Sequence, residues 1–406
     1  MSGSQLKILI LGPLPPEANG HNFGGVARHV WGLSCALHAK GHAVNVLPMG
    51  RYFFPSHQVR SGFFCYRGMI WPGDIPIAAA IVGHFLKGGC NGFEAKDFLH
   101  ALNASFRVAV VADMLPKYDI IHVHGVYNGA LQALSAINVH PPIITTIHSY
   151  HDVFFRKRGQ KKRVRIINKR LKWTDGIIHV SKADRAKGGG LGVSLPDREF
   201  VVPNGLPEPE RPYTPWSGRN GFCFVGSLQA RKRIELVLKA RRNCGSPGPL
   251  LRVAGSGAHE YMVKKAKESG EPVQWKGFVQ NVQAREIMRQ SCVLVGPSLS
   301  ESFGLIYIEA LMEGAAVIGY EPIIREFHEY LKFDEDEKRL LVPFSATCED
   351  SKELASFMMD TFLWRCSEEG EETMKRLRKR VIAEFGWHGV ADKVISVYQK
   401  TISCIK

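Results

Sequence analysis

Cys292-Val-Leu-Val-Gly-Pro-Ser-Leu-Ser-Glu301-Ser-Phe-Gly304-Leu-Ile-Tyr-Ile-Glu309-Ala-Leu-Met-Glu-Gly314-Ala-Ala-Val-Ile-Gly319 is the stretch whose reading decides the fold. An apolar run at Val293 to Val295 reads as a buried strand, followed by a polar turn. A helix is predicted over about Phe303 to Glu313, then a glycine stop and a second buried strand from Ala315 to Ile318. Such an αβ step belongs to a parallel sheet, where ligands bind just past the strand ends and at helix N-termini. Two carboxylates stand out. Glu301 lies in the turn before the helix, where a carboxylate also suits the helix dipole. Glu309 lies in a helix that is apolar on nearly every face. There it needs partners, because an unpaired buried carboxylate is costly. Pairing with an internal arginine would satisfy Glu309 with no role in function.

The strand rhythm extends outward in both directions. Lys7-Ile-Leu-Ile-Leu-Gly12 is a first buried strand, and a Pro/Gly/Asn-rich loop from Pro13 leads to Gly24 and Gly25. A helix over about Val26 to Lys40 and a strand at Ala43 to Leu47 complete a β-loop-α-β opening. The signal is weak from Tyr52 to Leu115, where a strand or two and two helices are expected. Strands then recur at Asp119-Ile-Ile-His-Val-His124, Ile143-Ile-Thr-Thr-Ile-His148, Gly176-Ile-Ile-His-Val-Ser181 and Phe200-Val-Val-Pro-Asn204-Gly205. Each is a short apolar run ending in a polar residue, as parallel strands do at a ligand cleft. Four prolines between Pro207 and Pro215 can continue neither helix nor sheet and mark residues 207–219 as a linker. A second domain opens at Gly221-Phe-Cys-Phe-Val-Gly226-Ser227-Leu-Gln-Ala-Arg231-Lys232.

Composition excludes several classes. With 406 residues the chain has room for two or three domains. Nine cysteines without a Cys-x-x-Cys pair or a Cys/His ligand spacing read as reduced thiols. No secretory signal is read at the start, and the longest apolar run outside the strands, Ile75 to Leu86, is too short to span a bilayer. A cytoplasmic protein is expected. The glycine-rich turns lack the third glycine of a dinucleotide fingerprint, and no Gly-Lys-Ser/Thr follows a strand, which argues against nicotinamide and P-loop chemistry. The net charge of +15 leans toward an anionic partner without choosing among them.

Glu301 and Glu309, seven residues apart with Ser302-Phe303-Gly304 after the first, resemble the Glu-x7-Glu signature of retaining nucleotide-sugar glycosyltransferases, family 4 in particular. Asp119-Ile-Ile-His-Val-His-Gly, Thr146-Ile-His148, Val-Pro-Asn204-Gly205 and Val273-Gln-Trp-Lys-Gly277-Phe278-Val279 resemble that family's signposts, in its order. The resemblance covers essentially the whole chain. It implies a GT-B fold, an α/β architecture of two Rossmann-like doubly wound parallel-sheet domains facing a central cleft. Residues 1–206 would bind the acceptor and residues 220–386 the donor, with the last helix, 387–406, packing back on the first domain.

The resemblance also implies roles. Glu301 would face the donor sugar, Glu309 would hold the ribose hydroxyls, and backbone at Phe303, Gly304 and Leu305 would approach sugar and phosphate. His148 would contact the sugar, Gly24 and Gly25 would admit diphosphate or acceptor, and Phe278 and Val279 would hold the base edge by their backbone. Catalysis would rest on Glu301, His148 and Lys232. The family's Arg and Lys clamp the diphosphate. Lys232 matches the lysine, but Ser227 stands in the arginine position and donates only a neutral hydrogen bond. Arg231 or Arg233 is the candidate substitute. The family's Gly-Gly-x-x-Glu is also missing, with Tyr320-Glu-Pro-Ile-Ile-Arg325-Glu326 in its place. The resemblance implies neither a metal nor another cofactor, only a nucleotide diphosphate sugar as co-substrate. A sugar-nucleotide epimerase or synthase, and a non-catalytic protein derived from a transferase, are the rival readings.

One segment fits none of these roles. Arg156 to Lys172 holds ten basic residues and no acidic one. Val164, Ile167 and Leu171 recur at helical spacing, so a narrow stripe would pack while the rest stays in water. It suits docking at an anionic membrane beside a lipid-linked acceptor, or gripping a phosphorylated soluble acceptor; nucleic acid is not expected. A plain solvated helix face is the simpler alternative.

Overall fold

The computed structural model describes residues 5–18, 24–49, 64–65, 75–84, 95–126, 129–137, 141–150, 153, 159–246 and 248–404. The chain forms two compact units, residues 1–205 with 387–406, and residues 206–386.

The first unit holds seven strands: β1 (Lys7–Gly12), β2 (Ala43–Pro48), β3 (Phe64–Cys65), β4 (Ile120–His124), β5 (Ile143–Ile147), β6 (Gly176–His179) and β7 (Glu199–Val201). They lie in the order β3-β2-β1-β4-β5-β6-β7, all parallel. The central strands are apolar on both faces because helices cover both. On one face α1 (Gly25–Ala39) and the C-terminal helix α15 (Trp387–Ser403) bury Val30, Leu33, Leu37, Val390, Val394 and Tyr398. On the other lie α2 (Ile75–His84), α3 (Ala95–Ala109), α4 (Ala130–Ser135) and α5 (Gln160–Leu171), sharing one core with Leu9, Ile121 and Ile143. The helix α6 (Lys182–Gly190) is capped by Ser181, whose Oγ accepts from Asp184 N. The weak region from Tyr52 to Leu115 contributes β3, α2 and α3 among the described residues.

Trp387 explains two glycines. A Cβ on Gly32 of α1, or on Gly205 after β7, would lie 2.2 Å from its indole. Gly205, after β7, is therefore required by packing against α15, whatever else approaches it.

The second unit holds β8 (Phe222–Val225), β9 (Leu251–Ala254), β10 (Val273–Trp275), β11 (Val293–Gly296), β12 (Ala316–Tyr320) and β13 (Leu341–Phe344). The order is β10-β9-β8-β11-β12-β13, all parallel. The helices are α7 (Ile234–Asn243), α8 (Glu260–Glu268), α9 (Asn281–Arg289), α10 (Leu305–Glu313), α11 (Glu321–Leu331), α12 (Glu335–Lys338), α13 (Ser351–Arg365) and α14 (Glu368–Phe385). Both sheets reverse direction once, between β1 and β4 and between β8 and β11. Those are the topological switch points where doubly wound sheets bind ligands.

The proline-rich stretch is built into the second unit. Tyr213 Oη donates to Glu371 at 3.0 Å, and the buried Arg365 donates to Glu371 at 2.7 Å and to Tyr213 Oη at 2.8 Å. Arg219, also buried, donates to the carbonyls of Thr214, Ser291 and Glu313. Prolines rule out regular structure here, and charged hydrogen bonds fix the chain instead. Among the described residues, no helix is long and apolar enough to cross a membrane.

Candidate functional site

In the second unit the loops after β8 and β11 meet at the switch point. Leu299 N donates to Arg231 O at 2.9 Å, stitching one loop to the other. Arg233 adopts a left-handed φ of 57°, which a non-glycine residue holds only under constraint. The constraint is its buried guanidinium, which donates to the carbonyl of Cys348 and lies 3.2 Å from Glu349. Arg233 is thus an anchor for the turn and points away from Glu301.

Lys232 and Arg231 point the other way. Lys232 Nζ donates to Glu301 Oε1, while Arg231 Nη1 donates to Ser300 O at 2.7 Å and lies 3.7 Å from Glu301 Oε2. Of the two arginines weighed for the missing diphosphate contact, Arg231 is the one beside the lysine. Burial raises the proton affinity of Glu301. Lys232, the Ser298 hydroxyl and Arg231 outweigh it and hold the carboxyl below its usual range.

The two glutamates of the signature sit differently. Glu309 is half-buried on α10, and its Oε1 accepts from Asn281 Nδ2 at 2.9 Å. Arg285, an internal arginine on α9, pairs with Glu313, one turn further on, its Nε lying 2.6 Å from Oε1. The helix buries Glu313, and Glu309 faces a neutral amide at the helix margin. Asn281 went unremarked in the sequence; its place at the first residue of α9, just after Gly277-Phe278-Val279, was the available signal.

Phe303 is buried against Phe327 and Phe385, with ring centroids 5.4 and 6.0 Å away. Its side chain belongs to the core, leaving only its backbone for any ligand. Gly304, the N-cap of α10, has φ 73°, and a Cβ there would lie 2.5 Å from the Tyr307 ring. Local packing therefore requires this glycine independently of a ligand. Leu305, half-exposed, opens the helix. Phe278 is 75% exposed and Val282 67% exposed on either side of Asn281, with Val279 half-buried between them. Ser227 is half-buried, and its carbonyl accepts from Gln229 N in the turn after β8.

The first unit gathers imidazoles at its own switch point. His124 ends β4 and His148 follows β5, with His124 Nδ1 3.1 Å from His148 Nε2, one donating and the other accepting. His29, from the second turn of α1, packs edge-on to His148 at 4.9 Å. His122 bonds Tyr398 Oη at 2.6 Å and Thr146 Oγ1 at 2.7 Å. Burial pushes His148 down to about 4, opposed by a hydrogen bond to the Asn204 side chain, and His122 down to about 3. Burial and their neighbours hold His29 and His124 well below the ordinary range as well. All four rings are neutral at pH 7. His29, His124 and His148 are also the group of described residues whose donors could converge on a metal, their ligand atoms lying within 4.8 Å of one another. Gly24, exposed with open space around its Cβ position, and Gly25 form the start of α1. Residues 19–23 of the preceding loop, and Arg156 to Arg158 of the basic segment, lie outside the described residues.

Comparison with known proteins agrees with this architecture. The Glycosyltransferase Family 4 model matches residues 23–208, and the Glycosyl transferases group 1 model matches residues 209–361. An uncharacterized 41.2 kDa protein in the cps region of Klebsiella pneumoniae is 27% identical over 54% of this chain, which spans 65% of that relative's length. An uncharacterized glycosyltransferase of Methanocaldococcus jannaschii is 24% identical over 73% of this chain and 76% of its own. Among solved structures, sucrose-phosphate synthase from Thermosynechococcus elongatus superposes with TM-score 0.70 at 18% identity, covering 98% of this chain and 100% of that one. Anabaena HepE in complex with UDP and glucose gives TM-score 0.65 at 13% identity, covering 97% and 100%. At such identities the structures speak for the fold alone. With both halves matched in sequence and both sheets wound as in the solved relatives, the chain belongs to the family 4 glycosyltransferases of the GT-B fold.

Proposed function

We infer that the chain moves a sugar from a nucleoside diphosphate sugar to an acceptor hydroxyl, retaining the anomeric configuration and needing no metal ion. The observation that carries this is the pairing of Lys232 and Arg231 with Glu301 at the switch point of the second unit. Departure of a nucleoside diphosphate develops negative charge, and two preorganised cations stabilise it as a divalent ion would. In the free protein Glu301 occupies the cations. Donor binding exchanges that carboxylate for the diphosphate and turns Glu301 toward the sugar. Arg231 takes the part that Ser227 cannot. Glu309 and Asn281 receive the ribose, beside the exposed Phe278 and Val282, which receive the base. His148, neutral, offers one hydrogen bond to the sugar. Retention follows if the acceptor attacks from the leaving-group face and the departing phosphate takes its proton, so no protein base is assigned.

HepE was solved with UDP and starch synthase IV of Arabidopsis thaliana with ADP, which makes uridine and adenosine the first bases to try. We read the work as cytoplasmic and part of glycan biosynthesis, and the basic segment Arg156 to Lys172 favours an acceptor that is lipid-linked or phosphorylated.

The test is a thermal-shift panel of UDP, ADP and GDP with and without EDTA. Binding at 100 times the dissociation constant stabilises by about 2.7 kcal/mol. One base should raise the melting temperature, EDTA should leave the shift intact, and Glu309→Gln should cut it by about half. No shift with any nucleotide would remove the reading. Donor turnover without any acceptor would point instead to an epimerase or synthase.

A further inference from the structure

The helix α5 is electrostatically at odds with itself. Its N-cap is Gly159, its first turn holds no acidic residue, and Lys161, Lys162 and Arg163 stand where the helix dipole disfavours cations. Lys161, Arg165 and Lys169 repeat at a four-residue interval, so like charges are stacked along one face. Lys161, Lys162, Arg165, Lys169 and Lys172 are all exposed, and among the described residues no carboxylate is within ion-pair reach of Lys161, Arg165 or Lys172. The opposite face is ordinary core. Val164, Ile167 and Leu171 pack into the first unit, and Arg170 is buried, donating to Val126 O at 2.6 Å. The helix is therefore held by its apolar face while its outer face repels itself, an arrangement that a dense anionic surface would relieve.

Two apolar features choose the surface. Trp173, directly after the helix, is 45% exposed. In the same helix layer, beyond α4 and α3, α2 buries Ala78 and Ile81 in the shared core and leaves Ile75 (55% exposed), Pro76, Ala79 and Ala80 in water. A soluble phosphorylated ligand gives these groups nothing. A bilayer gives both what they lack: an interfacial level for an indole and a boundary for a short apolar face.

We propose that the outer side of this layer is a docking surface for an anionic phospholipid bilayer. The basic stripe of α5 supplies long-range attraction, and Trp173 and the α2 face supply shallow insertion. The surface deepens the reading of a lipid-linked acceptor, yet vesicle binding needs neither donor nor acceptor, so the two ideas can fail separately.

The full chain is floated with vesicles of phosphatidylcholine alone, or with about 30% phosphatidylserine, at low and high salt. Binding is expected only to the anionic vesicles and only at low salt. The combined variant Lys161→Gln, Arg165→Gln, Lys172→Gln should bind at least about 10-fold more weakly, while its nucleotide-induced thermal shift stays that of the parent. Trp173→Ala, a change at an exposed side chain, should weaken binding to the anionic vesicles at low salt about threefold or more. It also serves as the test if the triple variant misfolds. The proposal is overturned if the parent does not float with anionic vesicles at low salt, or if neither variant alters its binding. Binding to heparin without binding to vesicles would overturn it too, in favour of a soluble polyanion.

Discussion

The two units share a strand order around their switch points and use it for opposite electrostatics. At the end of β8 and β11 stand ions: Lys232 and Arg231 against Glu301. At the end of β4 and β5 stand neutral rings, His124 and His148, with His29 and His122 packed against them. The backbone frame that brings loops together is the same, and it dictates nothing about the chemistry placed there. A site of charges suits a ligand that carries charge, here a diphosphate. A site of neutral imidazoles suits hydroxyls, to which it can donate or accept without desolvating an ion.

The largest expected effect would break the charged side of that contrast. Lys232→Ala removes the cation nearest Glu301 and leaves Arg231 and the Ser298 hydroxyl beside the carboxylate. The value of kcat/KM should fall by at least about 100-fold, the scale for losing one preorganised charge-stabilising donor. Near-parental kinetics would return Lys232 to a structural counter-ion. Arg231→Ala should cost about 10-fold, because its guanidinium also spends one bond on Ser300 O. If Arg231→Ala is silent while Arg233→Ala is merely unstable, no arginine has replaced the one missing at Ser227.

The glutamates sharpen the same side. Glu309→Gln should weaken binding of the free nucleoside diphosphate by about 10-fold, a charged hydrogen bond's worth. Glu301→Gln should leave that affinity intact or improve it, since the carboxylate competes with the diphosphate for Lys232, and should lower kcat by about 10-fold. Titration calorimetry separates the two. Equal losses of affinity in both variants would mean that the carboxylates act alike.

How far the sequence reached differs between the units for a physical reason. The second unit's αβ step was legible because its signals are local. An apolar strand, a turn glutamate, an apolar helix and a glycine stop all fall within Cys292 to Gly319, and α10 runs from Leu305 to Glu313 within the expected bounds. The two-sheet fold was legible for the same reason, strand by strand. What stayed hidden were meetings between distant segments. Nothing local tells that Arg233 is pinned to the carbonyl of Cys348 while Arg231 turns to Glu301, or that Arg285 pairs with Glu313. The imidazole cluster needs α1, β4 and β5 to be adjacent, so His148 could be weighed from its strand end but His29 could not. The proline-rich stretch read as a linker because Arg219, Arg365 and Glu371, which hold it, are scattered along the chain.

The smallest expected effect tests the neutral side, through pH. Burial pushes six histidines of the first unit below the ordinary value: His29, His42, His122, His124, His148 and His179. In the second unit only His328 is so placed among the described residues. Unfolded histidine titrates near 6.5. Below that pH the unfolded chain binds protons that the folded rings refuse, so stability rises with pH, is complete above about 6.5 and is lost as pH falls toward 4. The folded value of Glu301 is depressed, so its contribution is lost only below the unfolded carboxylate range, at lower pH. Between pH 6.5 and 5 the first unit should therefore loosen before the second, which hydrogen exchange resolved along the chain would read as earlier loss of protection in β4 and β5 than in β8 and β11. His148→Gln removes one of the six groups. It should flatten the acid slope of unfolding free energy by at most one proton, about 1.4 kcal/mol per pH unit. Protection lost first in β8 and β11 over this range would show that the charged site, and not the imidazole cluster, is the acid-sensitive half of the molecule.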